Sequence, residues 1–260
     1  MTAFAEKDDI MKHLFTALAL AAFFAVSAEE LKMDGPMELL KQEWRDGTMT
    51  GKNTHSAKIG GKVYPDIWHY WYVESGLTPD TIKLAPLKAV SPDSKDAKVW
   101  KNYIPILACE VKPDGSFLFP ALLKNSMTLI HTKKTFGCAY GFKNPFDKEI
   151  VCYIEGRLWH DPKAMIYVYL KHADGSVTQL VKDDNPDAVE DIVQKYPGGR
   201  TGIRHYLKLQ IETRLKPGDL VVIVGVRPDL NGKYVGKNGG GTFHIDGWGK
   251  PYNPVISFEL

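Results

Sequence analysis

His205-Tyr206-Leu207-Lys208-Leu209-Gln210-Ile211-Glu212 decides the fold class. Leu207, Leu209 and Ile211 fall at every second position, with Lys208, Gln210 and Glu212 between them. Side chains alternate across a strand with a period of two, so this segment reads as a strand with one core face and one wet face. The same texture extends on both sides of it. From about residue 62 onward, short β-branched and aromatic runs are separated by Pro, Gly, Asn and Asp, the pattern of an all-β sandwich or barrel. Strands are expected at 63–73, 99–107, 116–119, 127–132, 149–158, 164–171, 177–182, 203–214, 220–226, 241–246 and 255–260. Asp174-Gly175 marks a hairpin between two of these runs, and Pro113-Asp114-Gly115 marks another turn.

Two helices are expected beside the strands. Pro36 opens a segment at about residues 36–46 in which Leu39, Leu40 and Trp44 form a stripe and Gly47 ends the helix. Asn185 and Pro186 suit an N-cap and a first helical position, with Val189, Ile192 and Val193 at helical spacing over 186–194. The expectation is a mainly β chain, a jelly-roll-type antiparallel β-sandwich with one or two short helices. With no internal repeat and no Pro- or Ser-rich linker, residues 29–260 read as a single domain.

The chain has 260 residues, 44% apolar and 25% charged, with a net charge of +2. That balance is too apolar for a disordered chain and too near neutral for a nucleic-acid binder. Lys12 and His13 precede an apolar run over 14–26 that Thr16 alone interrupts, and Val26-Ser27-Ala28 follows before Glu29-Glu30. A basic flank, an apolar run of roughly 7–15 residues and small residues before the cleavage point describe a secretory signal peptide. Residues 1–28 therefore read as an N-terminal extension and signal peptide cut after Ala28, with the start at Met1 or at Met11. The run is shorter than the roughly 20 residues of a spanning helix, so no stable membrane span is expected and the protein should be secreted or periplasmic. Removing 1–28 takes out two Lys and three acidic residues, which moves the net charge from +2 to +3. The basic residues, Arg200, Arg204, Lys208, Lys216, Arg227, Lys233 and Lys237, are spread over loops and wet faces. Cys109, Cys138 and Cys152 allow one bridge and leave one thiol over; the odd count favours buried thiols over a disulfide framework.

From Cys152 to the C-terminus, the chain resembles the galactose-binding-like jelly-roll domains and carbohydrate-binding modules of secreted bacterial proteins. The resemblance rests on the strand at 151–158, the hairpin at 165–181, the strand at 207–214 and Leu215-Lys216-Pro217-Gly218-Asp219 opening the run 220–224. Trp68-His69-Tyr70-Trp71-Tyr72 is similar to the aromatic opening strand of such jelly rolls. The pattern departs at 227–242, where glycines stand in place of an acidic residue before Thr242. What the resemblance implies is a sandwich fold and a polysaccharide or cell-envelope glycan as partner.

Sugar recognition in water stacks a planar ring on a pyranose face and adds a few polar groups. The aromatic candidates are Trp68, Trp71, Trp100, Trp159, Trp248 and Tyr252. Trp68 and Tyr70 share one face of their strand and His69 and Trp71 the other, so one set belongs to the core. Asp246-Gly247-Trp248-Gly249-Lys250-Pro251-Tyr252 reads as a loop, and loops carry ligand contacts. Trp248, Tyr252, Asp246 and His244 are accordingly the expected ligand-binding residues.

No catalytic residue is assigned. His160-Asp161 and His244-x-Asp246 are histidine-carboxylate pairs, and Glu155, Asp246 and Glu212 offer carboxylates, but no nucleophile elbow, zincin helix or P-loop accompanies them. Asp183, Asp184, Asp187, Glu190 and Asp191 offer hard oxygens to a structural calcium yet lack the calcium-loop spacing, so no cofactor and no metal is expected. The reading is an exported non-catalytic module that binds carbohydrate or a cell-envelope component through an aromatic loop. A small secreted polysaccharide hydrolase or lyase, or a structural surface protein, is the alternative.

Overall fold

The computed structural model describes residues 30–94, 105–113, 117–123, 126–129, 136–160, 164–182, 189–195, 198–199, 201–226, 241–242 and 254–260. Strands dominate them. In chain order they are β1 (Glu30–Met33), α1 (Met37–Arg45), β2 (Thr54–Ile59), β3 (Lys62–Ser75), β4 (Lys83–Pro86), β5 (Lys88–Ala89), β6 (Pro105–Val111), β7 (Phe117–Leu123) and β8 (Ser126–Leu129). There follow β9 (Gly137–Lys143), β10 (Ile150–His160), β11 (Met165–Lys171), β12 (Val177–Lys182), β13 (Val189–Lys195), β14 (Thr201–Leu215), β15 (Leu220–Val226), β16 (Gly241–Thr242) and β17 (Val255–Glu259).

A large antiparallel sheet runs β12-β11-β15-β9-β3-β2-β1-β17-β10-β14-β13, with β4 paired to β3, and a smaller one runs β16-β8-β7-β6-β5. The large sheet curls back on itself. Ile154 and Leu158 of β10, Leu207 and Leu209 of β14, Tyr140 and Phe142 of β9, and Val221 and Ile223 of β15 are all buried in one apolar cluster. Rings from distant strands meet inside it: Phe142 of β9 packs edge-on against Phe258 of β17, with centroids 6.1 Å apart. The architecture is the mainly β, sandwich-like and jelly-roll-like one expected. The alternation at 205–212 belongs to β14, which pairs with β10 along its length, from Ile150 opposite Leu215 to His160 opposite His205.

Turn chemistry follows the sequence. At Asp174-Gly175 the Asp174 carboxylate accepts from the Ser176 amide (2.8 Å), while Gly175 takes φ 87°. In Lys216-Pro217-Gly218-Asp219, proline precedes a glycine at φ 88°, as a type II turn requires, and the Asp219 carboxylate accepts from the Lys216 amide (2.9 Å). α1 buries Met37, Leu40 and Trp44, so Met37 takes the place in the stripe expected of Leu39. The Trp44 indole N–H donates to the Val90 carbonyl.

One expectation is overturned. Residues 186–194 were expected to form a helix, but Val189–Lys195 is the strand β13, antiparallel to β14 from Val189 opposite Leu207 to Lys195 opposite Thr201. A two-turn helix is marginal on its own, and Val189, Ile192 and Val193 are β-branched. The edge of β14 pairs one side of their backbone in a ladder, so tertiary pairing outweighs the helical spacing. Asn185 and Pro186 lie outside the described residues, as do 99–104, 130–132, 243–246 and the Pro113-Asp114-Gly115 turn beyond Pro113. Among the described residues α1 is the one helix, and no helix is long and apolar enough to cross a membrane. Cys109, Cys138 and Cys152 form no disulfide among the described residues; Cys138 and Cys152 are buried and Cys109 is half-buried. Burial pushes the Cys138 and Cys152 thiols well up, away from thiolate chemistry.

Candidate functional site

Period-two alternation along β3 sorts its aromatic residues onto two faces. Trp68 and Tyr70 are core, 2% and 0% exposed. His69 and Trp71 lie half-buried on the opposite face. Their rings are parallel, with centroids 5.4 Å apart and planes 8° apart. In the neighbouring β9, His69 stands opposite Gly141 and Trp71 opposite Ala139. A side chain on Gly141 would come within 3.3 Å of the Trp71 indole and would overlap the carbonyl oxygen of Val221. The missing Cβ leaves room for the indole to lie against the sheet. Val73, Ala139, Tyr167, Tyr169, Val222 and Val224 continue this face as a second apolar cluster, against which Trp71 packs.

Charged groups stand beside the stacked pair. Asp66 has φ 51°, a left-handed conformation rare in non-glycine residues, which asparagine and aspartate tolerate best. Its carboxylate accepts from the Thr54 hydroxyl at 2.6 Å and lies 3.5 Å from the Lys52 ammonium. The Thr54 hydrogen bond holds the Asp66 carboxyl below the usual range, and Lys52 adds to the effect. Burial, followed by the nearby Lys143 ammonium, lowers the pKa of His69, which favours a neutral ring. His69 Nε2 is buried with no hydrogen-bond partner among the described residues. The result is a half-exposed aromatic surface bordered by Lys52, Asp66 and Lys143. Such a surface can hold a planar or ring-shaped ligand by stacking while polar groups fix its hydroxyls.

The expected ligand residues Trp248, Tyr252, Asp246 and His244 lie outside the described residues, as do Trp100 and the side chain of Trp159. Glu155 and Glu212 are both exposed and are diagonal neighbours on one face of β10 and β14, since Tyr153 stands opposite Glu212 and Glu155 opposite Gln210. The His160 side chain and Asp161 are outside the described residues. Of the acidic cluster, Asp183, Asp184 and Asp187 are outside, whereas the other two members have cationic or ionisable partners. Glu190 meets Arg157 at 2.9 Å, and Asp191 meets His205. Because β13 is a strand, these carboxylates do not sit at a helix N-terminus. Among the described residues no cluster of His, Cys, Asp and Glu has the makings of a metal site. A small depression lined by Trp44, Met49, Val90 and Pro92 carries no charged side chain. Sequence reasoning named Trp71 but missed Asp66, Thr54 and Lys52; the Pro65-Asp66 pair inside a strand-like run was the available signal.

Fold and site together define a strand-rich antiparallel β protein with a half-exposed aromatic surface. No family model matches the chain, and no curated protein matches it. Among solved structures the chain is similar to the "CBM3a-L domain with flanking linkers from scaffoldin cipA of cellulosome of Clostridium thermocellum", at 13% identity and a TM-score of 0.17. The match covers 36% of this chain and 58% of that one, so it spans little more than half the length of that structure. A TM-score of that size carries no functional implication.

Proposed function

We propose that the protein is an exported, non-catalytic module that binds a polysaccharide or another cell-envelope component through partly exposed aromatic side chains. The observation that carries the reading is the parallel His69–Trp71 pair, set half-exposed over Gly141 beside Asp66, Thr54 and Lys52. In this reading the 246–252 loop supplies a second stacking ring, Trp248, with Tyr252, Asp246 and His244 around it. Export rests on the sequence at 12–28.

The test is retention of the chain from residue 29 onward on soluble and insoluble polysaccharides, with reducing-sugar and unsaturated-product release followed in the same wells. Retention without product is the expected result. Aromatic stacking contributes about 0.5–1.5 kcal/mol per ring, so Trp71→Ala and Trp248→Ala should each weaken binding by up to about tenfold. Product release would overturn the non-catalytic reading in favour of a hydrolase or lyase. Absence of both retention and product would overturn glycan binding itself.

A further inference from the structure

β13 is terminal in the large sheet, so one side of its backbone has no strand partner among the described residues. Next to that edge lies an apolar pair that the fold leaves in water. Val193 is 64% exposed and Ile203 is 60% exposed, and the two stand directly opposite each other across β13 and β14. An unpaired edge beside exposed β-branched residues is a template for another strand. We infer that this edge is a self-association surface, on which two copies of the chain pair their β13 strands antiparallel about a two-fold axis through Val193.

The sequence of the strand selects both the occupant and the register. A two-fold axis perpendicular to the sheet makes the contact isologous and keeps each face continuous across the seam, so residue i meets residue j of the second copy with i and j of the same parity. With the axis at Val193, Asp191 stands opposite position 195 of the second copy, a lysine, and the pair occurs twice. Val193 meets its own counterpart, which extends an apolar row from Ile203 through both valines to the second Ile203. Moving the axis to Ile192 sets Asp191 opposite Val193. Moving it to Asp191 sets two aspartates opposite each other, and like charges in that position are destabilising. Only the Val193 register pairs opposite charges and apolar residues together. Glu190, on the other face, is already held by Arg157 at 2.9 Å and takes no part. Asp191 meets His205 in its own chain through Oδ1 alone, and its side chain, 53% exposed, keeps a second oxygen for the lysine of the other copy.

The experiment is sedimentation of the full chain over a range of micromolar concentrations. A concentration-dependent monomer–dimer equilibrium is expected. Val193→Lys places two ammonium groups on the axis and should weaken association at least tenfold, whereas Val63→Lys, at a valine 53% exposed elsewhere, should leave it unchanged. Lys195→Asp should weaken the dimer, and Asp191→Lys in the same chain should restore it. A monomer at every concentration overturns the inference. So does a dimer indifferent to Val193→Lys. Failure of the charge exchange to restore association overturns the register. Circular dichroism of each variant separates loss of pairing from loss of fold.

Discussion

The side-chain amide of Asn144 donates to the main-chain carbonyl of Leu215 at 3.0 Å, although β3, β2, β1, β17 and β10 lie between β9 and β14 in the sheet. Asn144 directly follows β9, so this bond ties together parts of the sheet that the ladder keeps apart and shows how the sheet folds back over itself. Asn144 is 4% exposed and fully engaged: its amide also donates to the Lys148 carbonyl at 3.0 Å, and its oxygen accepts from the Phe146 amide at 2.9 Å. Removing the side chain takes a partner from three backbone groups; the bond to the Leu215 carbonyl is buried and the other two are part-buried. A buried orphan costs about 1–3 kcal/mol, so Asn144→Ala should lose about 1–3 kcal/mol in urea unfolding. A loss below about 0.5 kcal/mol would mean that this contact is held by packing alone.

β9 makes a second prediction. Its sequence, Gly137-Cys138-Ala139-Tyr140-Gly141-Phe142-Lys143, has no clean alternation because every residue but Lys143 is buried. A Cβ on Gly137 would overlap the carbonyl oxygen of Gly225, and one on Gly141 that of Val221. Backbone cannot step aside as a side chain can. Gly137→Ala and Gly141→Ala should therefore each destabilise by more than about 2 kcal/mol or abolish soluble expression, while Gly35→Ala, with nothing within 4 Å, should be near neutral. Equal thermal stability for Gly141→Ala and Gly35→Ala would contradict the close approach of β9 and β15.

The legibility of β14 and of β9 followed the number of their buried faces. β14 was readable because one face is core and the other wet, so Leu207, Leu209 and Ile211 stand out against Lys208, Gln210 and Glu212. β9 was missed because both of its faces are covered, which erases the period that marks a strand. β13 was misread because Val189, Ile192 and Val193 satisfy a helical spacing as well as they suit a strand, and only the edge of β14 decides between them. On β3 the sequence separated Trp68 and Tyr70 from His69 and Trp71, but could not tell which pair faces the core. That choice depends on which side the sheet curls toward, a property of pairings remote in sequence. The role of Asp66 was hidden for the same reason: its partners Thr54 and Lys52 reach it across the β2–β3 pairing.

His55 supplies a pH dependence whose sign can be worked out. Its ring is 1% exposed, lies parallel to Tyr70 with centroids 5.6 Å apart, and exchanges a 2.8 Å hydrogen bond between Nε2 and the Tyr70 hydroxyl. Burial lowers its pKa from the ordinary 6.5 to about 3. Between those two values the unfolded chain binds a proton that the folded chain excludes, so stability falls as pH falls through this window. The slope from one such group approaches about 1.4 kcal/mol per pH unit, and above about pH 7 it contributes nothing. Burial also lowers the pKa of His69, which adds a smaller effect of the same sign. The measurement is urea unfolding at intervals from pH 7 to pH 5, where most carboxylates stay ionised. His55→Phe orphans the Tyr70 hydroxyl and so lowers stability at every pH, but it should remove about one proton from the linkage and flatten the curve. Parallel curves for the variant and the parent would mean that the imidazole is already protonated, or reached by water, in the folded state.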